Sequence, residues 1–263
     1  MSWKDYFMNN AIVIGGLGIV GQATRHALAI KDYYDFKGST VKKENITDFK
    51  YIFICLPTPT IGGNCYINDI IIFIAGLNSK KDNVFIIRST VIPGTCKKII
   101  KRTGATVVHV PEFLTMSTWE KDAEWPDIVV IGGEDKKSRD EIVGIYKSRY
   151  KGSEFIITDT ITAEVIKYAI NTFYAQKVVF ANQLYDFCSE VGGNYETIRK
   201  AMYARKWIGG QHLTVWYNKD KKQRGAGGGC LAKDLEAFAK FTKLPLLLKV
   251  FELNAEYLSG KKD

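Results

Sequence analysis

The sequence predicts an α/β protein: a doubly wound parallel sheet followed by an all-helical central domain with one long helix. Three observations predict it. Through residue 158, short apolar runs alternate with helical or loop segments. The first run ends in a glycine-spaced turn that opens a helix. From Thr162 the pattern becomes one helical stretch of about 30 residues, more than one small domain can cover. The expected domains are therefore 1–158 and 159–263.

The strand-like runs are "AIVIG" (11–15), "YIFICL" (51–56), "VFIIRS" (84–89), "TVVHV" (106–110), "DIVVIGG" (127–133) and "EFIIT" (154–158). Their consecutive apolar positions suit strands covered on both faces of a parallel sheet. After the first, "GLGIVG" (16–21) sets Gly16, Gly18 and Gly21 in a G-x-G-x-x-G spacing, with Ile19 and Val20 opening a helix. Such a turn lets backbone amides approach a pyrophosphate at a helix N-terminus, which makes the sheet Rossmann-like. An acidic residue for the ribose belongs at the end of the next strand. Asp35 in "KDYYDFKG", 14 residues past Gly21, is either that residue or a surface carboxylate. In the long helix Thr162 reads as the N-cap, and Gly192 and Gly193 as the stop. At 1.5 Å per residue it would run about 45 Å, so part of it is expected to pack on a partner. Further helices are expected at about 195–206 and 231–258, with a loop over 219–229.

The formal charge is +9, and the lysines are spread along the chain with short clusters at 219–224 and 261–262. That favours a solvated surface that also attracts phosphate-bearing ligands, rather than a nucleic-acid interface. No apolar run approaches ~20 residues, so no membrane span is expected. The start, "MSWKDYFMNN", lacks the apolar core of a signal peptide. Five scattered cysteines without a CxxC pair point to a reducing cytoplasm. The histidines, at 26, 109 and 212, have no metal-ligand spacing, so no metal is expected.

Two constellations carry chemistry. In "RGAGGGCLAKDLEAF" (224–238) Cys230 stands behind Gly225, Gly227, Gly228 and Gly229 and ahead of a helix, with Asp234 one turn on. It is either a thiol activated by a helix N-terminus or an inert cysteine in a glycine-rich turn. Lys167 and Asn171 lie four apart on the long helix. Either both reach one point, as an ammonium and an amide facing an oxyanion, or they are an exposed lysine and a helix-facing asparagine.

These stretches, in order, resemble the UDP-glucose/GDP-mannose dehydrogenase family. "GLGIVG" is similar to its dinucleotide turn, "CLPTPT" (55–60) to its C-V-P-T-P motif, and "RSTVIPGT" (88–95) to S-T-V-P-P-G-T. "PEFL" (111–114) resembles N-P-E-F-L, and "AEVIKYAINTFYAQKVVFAN" (163–182) its central helix. "WIGGQHLTV" (207–215) and "GAGGGCLAKD" (225–234) resemble the loop and cysteine segments. The resemblance implies NAD held by Gly16, Gly18, Ile19, Val20, Gly21, Asp35, Leu56, Pro57, Thr58 and Thr90. It implies a nucleotide sugar held by Glu112, Phe113, Leu114, Lys167, Asn171, Gly225, Gly227 and Gly228, while His212 in "GGQHL" either touches substrate or has no such role. The implied reaction oxidises a C6 alcohol to the carboxylate with two NAD. Cys230 holds the aldehyde as a thiohemiacetal and then a thioester, and Lys167 and Asn171 face its oxygen. Asp234 and Thr90 orient a water, and Glu112 assists hydrolysis. The resemblance also implies a homodimer through the long helix. Its apolar faces read as Ile166, Ile170, Phe173 and Val178 on one side, and Val165, Tyr168, Val179 and Phe180 elsewhere.

The chain departs from the pattern in places. Val110 replaces the asparagine before Pro111, "TMST" follows Leu114 where an arginine is expected, and Ala226 and Leu231 replace two aromatics. The helix after the second strand is shortened, and the family's C-terminal nucleotide-binding domain is not found. UDP-glucose is the first substrate expected. Another nucleotide sugar, such as a UDP-N-acetylhexosamine or GDP-mannose, is the alternative, or else a catalytically silent nucleotide-binding or assembly protein. Weak sugar binding, or a separate polypeptide supplying the missing domain, is expected, with Lys219, Lys221, Lys222 and Arg224 attracting the diphosphate.

Overall fold

A computed structural model of the chain describes residues 3–218, 220 and 222–260. By spatial contact the chain forms two compact units: 1–59 with 66–167, and 60–65 with 168–263. This division falls inside the long helix rather than at residue 158.

The first unit opens with α1 (Trp3–Asn9), β1 (Ala11–Ile14), α2 (Ile19–Leu28), β2 (Asp32–Tyr34), a 3-10 turn (Lys43–Asp48) and β3 (Tyr51–Ile54). A hairpin, β4 (Thr60–Ile61) and β5 (Asn64–Cys65), interrupts it and belongs to the second unit. The first unit resumes with α3 (Asn68–Ala75), β6 (Val84–Ile87), α4 (Thr95–Thr103), β7 (Thr106–His109), α5 (Trp119–Glu124), β8 (Ile128–Gly133), α6 (Lys136–Arg149) and β9 (Glu154–Thr158). Seven strands make one sheet in the order β2-β1-β3-β6-β7-β8-β9. Ile14 pairs with Ile54 and Ile54 with Ile87, all parallel. Only β7 and β8 run antiparallel, so the sheet is mostly rather than wholly parallel.

The central strands are buried at every position, as their unbroken apolar runs require. Alternate residues feed two separate cores. Val13, Phe53 and Ile86 pack with Ala23 and Ala27 of α2 and Ile142 and Tyr146 of α6. Ile14, Ile54 and Ile87 pack with Ile70 and Ile74 of α3 and Ile99 of α4. Helices therefore cover both faces, and the doubly wound reading holds. The run "EFIIT" differs from expectation: Ile156 and Ile157 are 37% and 44% exposed. β9 is an edge strand, paired only with β8.

Helix α7 (Thr160–Val191) is continuous over 32 residues. Thr162 is not its cap. The Asp159 carboxylate accepts the Thr162 amide at 2.9 Å and its hydroxyl at 2.6 Å, one turn into the helix. Gly192, at φ +73°, ends it as expected. Along α7, Val178, Val179 and Tyr168 are buried. Phe173, Phe180 and Phe187 are 57%, 53% and 56% exposed, and seven-residue spacing puts them on one stripe. Phe173 and Phe180, expected on different faces, therefore share one.

After α8 (Tyr195–Ala204) comes an antiparallel pair, β10 (Trp216–Asn218) and β11 (Gln223–Arg224), where sequence reading expects only loop. The central part is thus helical with two small hairpins. Next are α9 (Leu231–Thr242) and α10 (Pro245–Leu258). Lys243 at φ +55° and Pro245 in the first turn of α10 break the apolar span in two. The β4–β5 hairpin lies on α9: the Thr60 hydroxyl donates to the Lys233 carbonyl at 3.0 Å. Among the described residues no helix is long and apolar enough to cross a membrane, and no group of three or more His, Cys, Asp or Glu forms a metal cluster.

Candidate active site

In the first unit the candidate cofactor residues gather at the carboxyl ends of β1, β2, β3 and β6, where open α/β sheets bind nucleotides. The three glycines of the turn have different reasons to be there. A Cβ on Gly21 would lie 2.1 Å from the Gly15 carbonyl, and one on Gly16 would strike Tyr33 at 2.5 Å. Those two let α2 pack against β1 and β2. Gly18, the N-cap of α2, is exposed and a Cβ there would meet nothing nearer than 3.5 Å, so a ligand can approach the backbone closely beside Ile19 and Val20. Asp35 follows β2 directly, and its carboxylate accepts the Leu17 amide of the turn at 3.2 Å. The acidic candidate therefore stands beside the glycines despite the short spacing. Leu56, Pro57 and Thr58 follow β3. The Ser89 hydroxyl donates to the Leu56 carbonyl and the Thr58 hydroxyl to the Thr90 carbonyl, both at 2.6 Å. These bonds tie the loop after β3 to the loop after β6. An exposed glycine at a helix N-terminus beside an acidic strand end fits an adenine dinucleotide.

Glu112 and Lys167 form a nearly dry ion pair, N to O 3.3 Å, with side chains 10% and 5% exposed. The Lys167 ammonium also donates to the Glu112 carbonyl and sits 5.1 Å from the Phe113 ring centre. Leu114 contributes its amide, which donates to the Glu112 carboxylate at 2.7 Å. Burial pushes the Glu112 carboxyl up, but Lys167, the Leu114 amide and Arg88 together outweigh it, and the group titrates below its ordinary range. Arg88 was not singled out from sequence, although it opens the "RSTVIPGT" motif. Its guanidinium holds the Val110 carbonyl at 2.9 Å, just ahead of Pro111 and Glu112.

In the second unit Asp234 is 1% exposed. Its two oxygens accept from the Asn171 amide at 2.6 Å and the Lys233 ammonium at 2.5 Å. Lys167 bonds to Glu112, and Asn171 bonds to Asp234. Cys230 is exposed at the N-cap of α9, where the sequence places it, with its carbonyl accepting the Asp234 amide at 2.9 Å. Cys55 and Cys188 are buried, and burial pushes the Cys55 thiol up to about 11.

Three expectations need correcting here, at Gly225, Gly227 and Arg224. A Cβ on Gly225 would meet Asn254 at 3.0 Å, and one on Gly227 would meet the Tyr217 ring at 2.5 Å, so these glycines serve packing. Only Gly228, with its neighbour Gly229, faces open space. Arg224, 3% exposed, donates to Asn182 and Asp186 rather than waiting for a diphosphate. His212 stacks on Tyr174 with ring centres 4.0 Å apart, and among the described residues its buried Nδ1 has no hydrogen-bond partner. Lys222 is exposed, while Lys219 and Lys221 lie outside the described residues.

Comparison with known proteins bears on this arrangement. Residues 28–149 match the UDP-glucose/GDP-mannose dehydrogenase family, NAD binding domain, and 161–255 match that family's central domain. The chain belongs to the UDP-glucose/GDP-mannose dehydrogenase family. NAD is accordingly the cofactor of its first domain. A UDP-glucose 6-dehydrogenase of Rickettsia felis is 36% identical over 163 residues, 60% of this chain and 35% of that protein. One of Rickettsia bellii is 32% identical over 217 residues, 79% of this chain and 48% of that protein. The chain thus spans less than half the length of these curated relatives. A solved UDP-glucose dehydrogenase structure from Pyrobaculum islandicum superposes with a TM-score of 0.77 at 21% identity. That match covers 95% of this chain and 68% of the other, and it supports the fold.

Proposed function

We propose that this chain oxidises the C6 alcohol of a nucleotide sugar to the carboxylate, with UDP-glucose as substrate. The observation that carries the reading is Cys230, exposed at the N-cap of α9 one turn from the buried Asp234–Asn171 pair. NAD, when bound, would supply the hydride acceptor for two successive oxidations. Gly18 and its neighbours at the start of α2 would cradle the pyrophosphate, with Asp35 on the ribose and Leu56, Pro57, Thr58 and Thr90 along the strand ends.

The chain's own residues divide the remaining work. After the first oxidation the Cys230 thiolate adds to the aldehyde carbon, and the carbonyl oxygen becomes an oxyanion. Lys167 and Asn171 stabilise that oxyanion. The second oxidation leaves a thioester on Cys230, and water then displaces the sulfur, so its oxygen ends in the carboxylate and the thiol is restored. Asp234 and Thr90 orient that water, and Glu112 takes a proton from it. Phe113, Leu114 and the open edge at Gly228 border the sugar. We place the chain in the cytoplasm, where its cysteines stay reduced. We also propose that it pairs with a second copy through the Phe173, Phe180 and Phe187 stripe of α7.

NADH formation by the purified chain across UDP-glucose, UDP-N-acetylhexosamines and GDP-mannose tests the reading. Two NADH per sugar acid, formed from UDP-glucose first, is expected. No NADH from any of them would leave a silent nucleotide-binding protein.

A further inference from the structure

The glycine run ahead of Cys230 has a held half and an open half. Residues 224–226 are buried, while Gly228, Gly229 and Cys230 are exposed. Arg224 anchors the held half to α7. Its Nε donates to the Asn182 side chain at 3.0 Å and its Nη2 to the Asn182 carbonyl at 3.1 Å and to Asp186. The rings of Tyr185 and Tyr257 flank the guanidinium at 5.2 and 4.8 Å, and the Tyr257 hydroxyl donates to the second Asp186 oxygen at 2.8 Å. Asn254 anchors the same segment to α10. Its Oδ1 accepts the Ala226 amide at 2.7 Å and its Nδ2 donates to the Ala226 carbonyl at 3.2 Å. A side-chain amide is suited to this, because it offers one donor and one acceptor side by side. On the far side of Cys230, its carbonyl is fixed by the first turn of α9.

We propose that residues 224–227 are a fixed mount for the Cys230 thiol, with Arg224 and Asn254 as its positioning residues. The chain between the anchors is only Gly227, Gly228 and Gly229. The thiol's position at the head of α9 is therefore set in part by two buried polar clamps held on α7 and α10. The clamps also account for the glycines at 225 and 227, whose missing side chains are replaced by Asn254, Tyr257 and Tyr217. The proposal rests on the reading of Cys230 as the nucleophile for its effect on turnover, but its first readout is independent of turnover.

Iodoacetamide alkylation of Cys230 in the full chain, followed by peptide mass spectrometry across pH, tests it. Asn254→Ala removes both bonds to Ala226. The expected result is a change of about fivefold or more in the Cys230 alkylation rate, as loss of a buried hydrogen bond implies, with a displaced pH midpoint. Asn254→Asp, which keeps an acceptor but has no donor, falls between. In turnover the same variants lower kcat and leave KM within about twofold. An unchanged alkylation rate and midpoint in folded Asn254→Ala overturns the proposal. Should that variant fail to fold, Arg224→Lys carries the test with the same expected and overturning results, because it keeps the buried charge and loses the planar fork. A chain without dehydrogenase activity still reports on the mount, so the two readings fail separately.

Discussion

Lys167 and Glu112 neutralise each other almost out of water, so each is costly to remove alone. Lys167→Ala should cost about 3–5 kcal/mol of stability, because it strands a buried carboxylate. If Lys167 also faces the oxyanion, kcat should fall by ~10²–10³ with a smaller change in KM. Lys167→Met with Glu112→Gln separates the two effects. Urea melts should show much of the stability restored while the rate stays low; a recovered rate would make the lysine purely structural. Cys230→Ser should abolish sugar-acid formation and leave NAD binding intact by calorimetry. Cys55→Ser and Cys188→Ser should keep the chemistry, since both thiols are buried. The residue types were legible in the sequence, because the cysteine turn and the Lys167/Asn171 spacing are local patterns. Their partners were not: Glu112 is 55 positions from Lys167, and Asp234 is 63 from Asn171. Nothing in a helical period distinguishes a lysine aimed at a carboxylate from one aimed at an oxyanion.

At the scale of elements, α4 depends on a carboxylate from outside it. Glu164, fully buried on α7, accepts the Gly94 amide at 2.5 Å and the Cys96 amide at 2.7 Å. These are among the unpaired amides at the start of α4. Glu164→Ala should cost about 1–3 kcal/mol in a urea melt and Glu164→Gln less, because glutamine keeps one acceptor. Equal losses would mean that the charge, not the bonding, matters. The phenylalanine stripe on α7 makes a second prediction. Phe180→Asp should turn a dimer into a chain near 29.7 kDa by light scattering, with its helix content kept. A wild type that is already monomeric at micromolar concentration would remove the dimer. Most elements could be read from sequence because buried parallel strands are apolar throughout and α7 has no glycine or proline to break its helical pattern. The misreadings have physical causes. The strands of the β10–β11 hairpin have only three and two residues, so no period marks it. The cap passed from Thr162 to Asp159 because a threonine at the third helical position can donate to the same carboxylate that receives its amide.

Across the whole molecule, the two compact units could not be drawn from the linear chain, because residues 60–65 leave the first unit's sequence to pack with the second. The folded chain's acid stability depends on groups distributed in the same non-local way. His109 is fully buried on β7, and among the described residues its Nδ1 has no hydrogen-bond partner. Burial is the main cause that holds its titration down to about 3, with Arg88 and Lys167 adding to it. A histidine whose folded value lies below its unfolded value stays neutral in the fold and takes a proton on unfolding. Its contribution is therefore complete above the ordinary imidazole range and drains away as the pH falls from 6.5 toward 3. Each pH unit in that window costs the fold about 1.4 kcal/mol, so acidification from about pH 7 to about pH 5 should remove about 2 kcal/mol through His109 alone. Glu112, held below its ordinary value of 4.5, adds a loss of the same sign only at lower pH. Glu164, raised by burial, opposes both, because its protonated form is favoured in the fold. The upper part of the acid limb thus belongs to the histidines: His109 first, with half-buried His212, also held below 6.5 by burial and by Lys177, adding a loss of the same sign. In urea melts at stepped pH, His109→Leu should flatten the decline between about pH 7 and about pH 5 and leave the steeper loss below it. Parallel declines in the variant and the natural chain over that interval would assign the acid sensitivity to other groups.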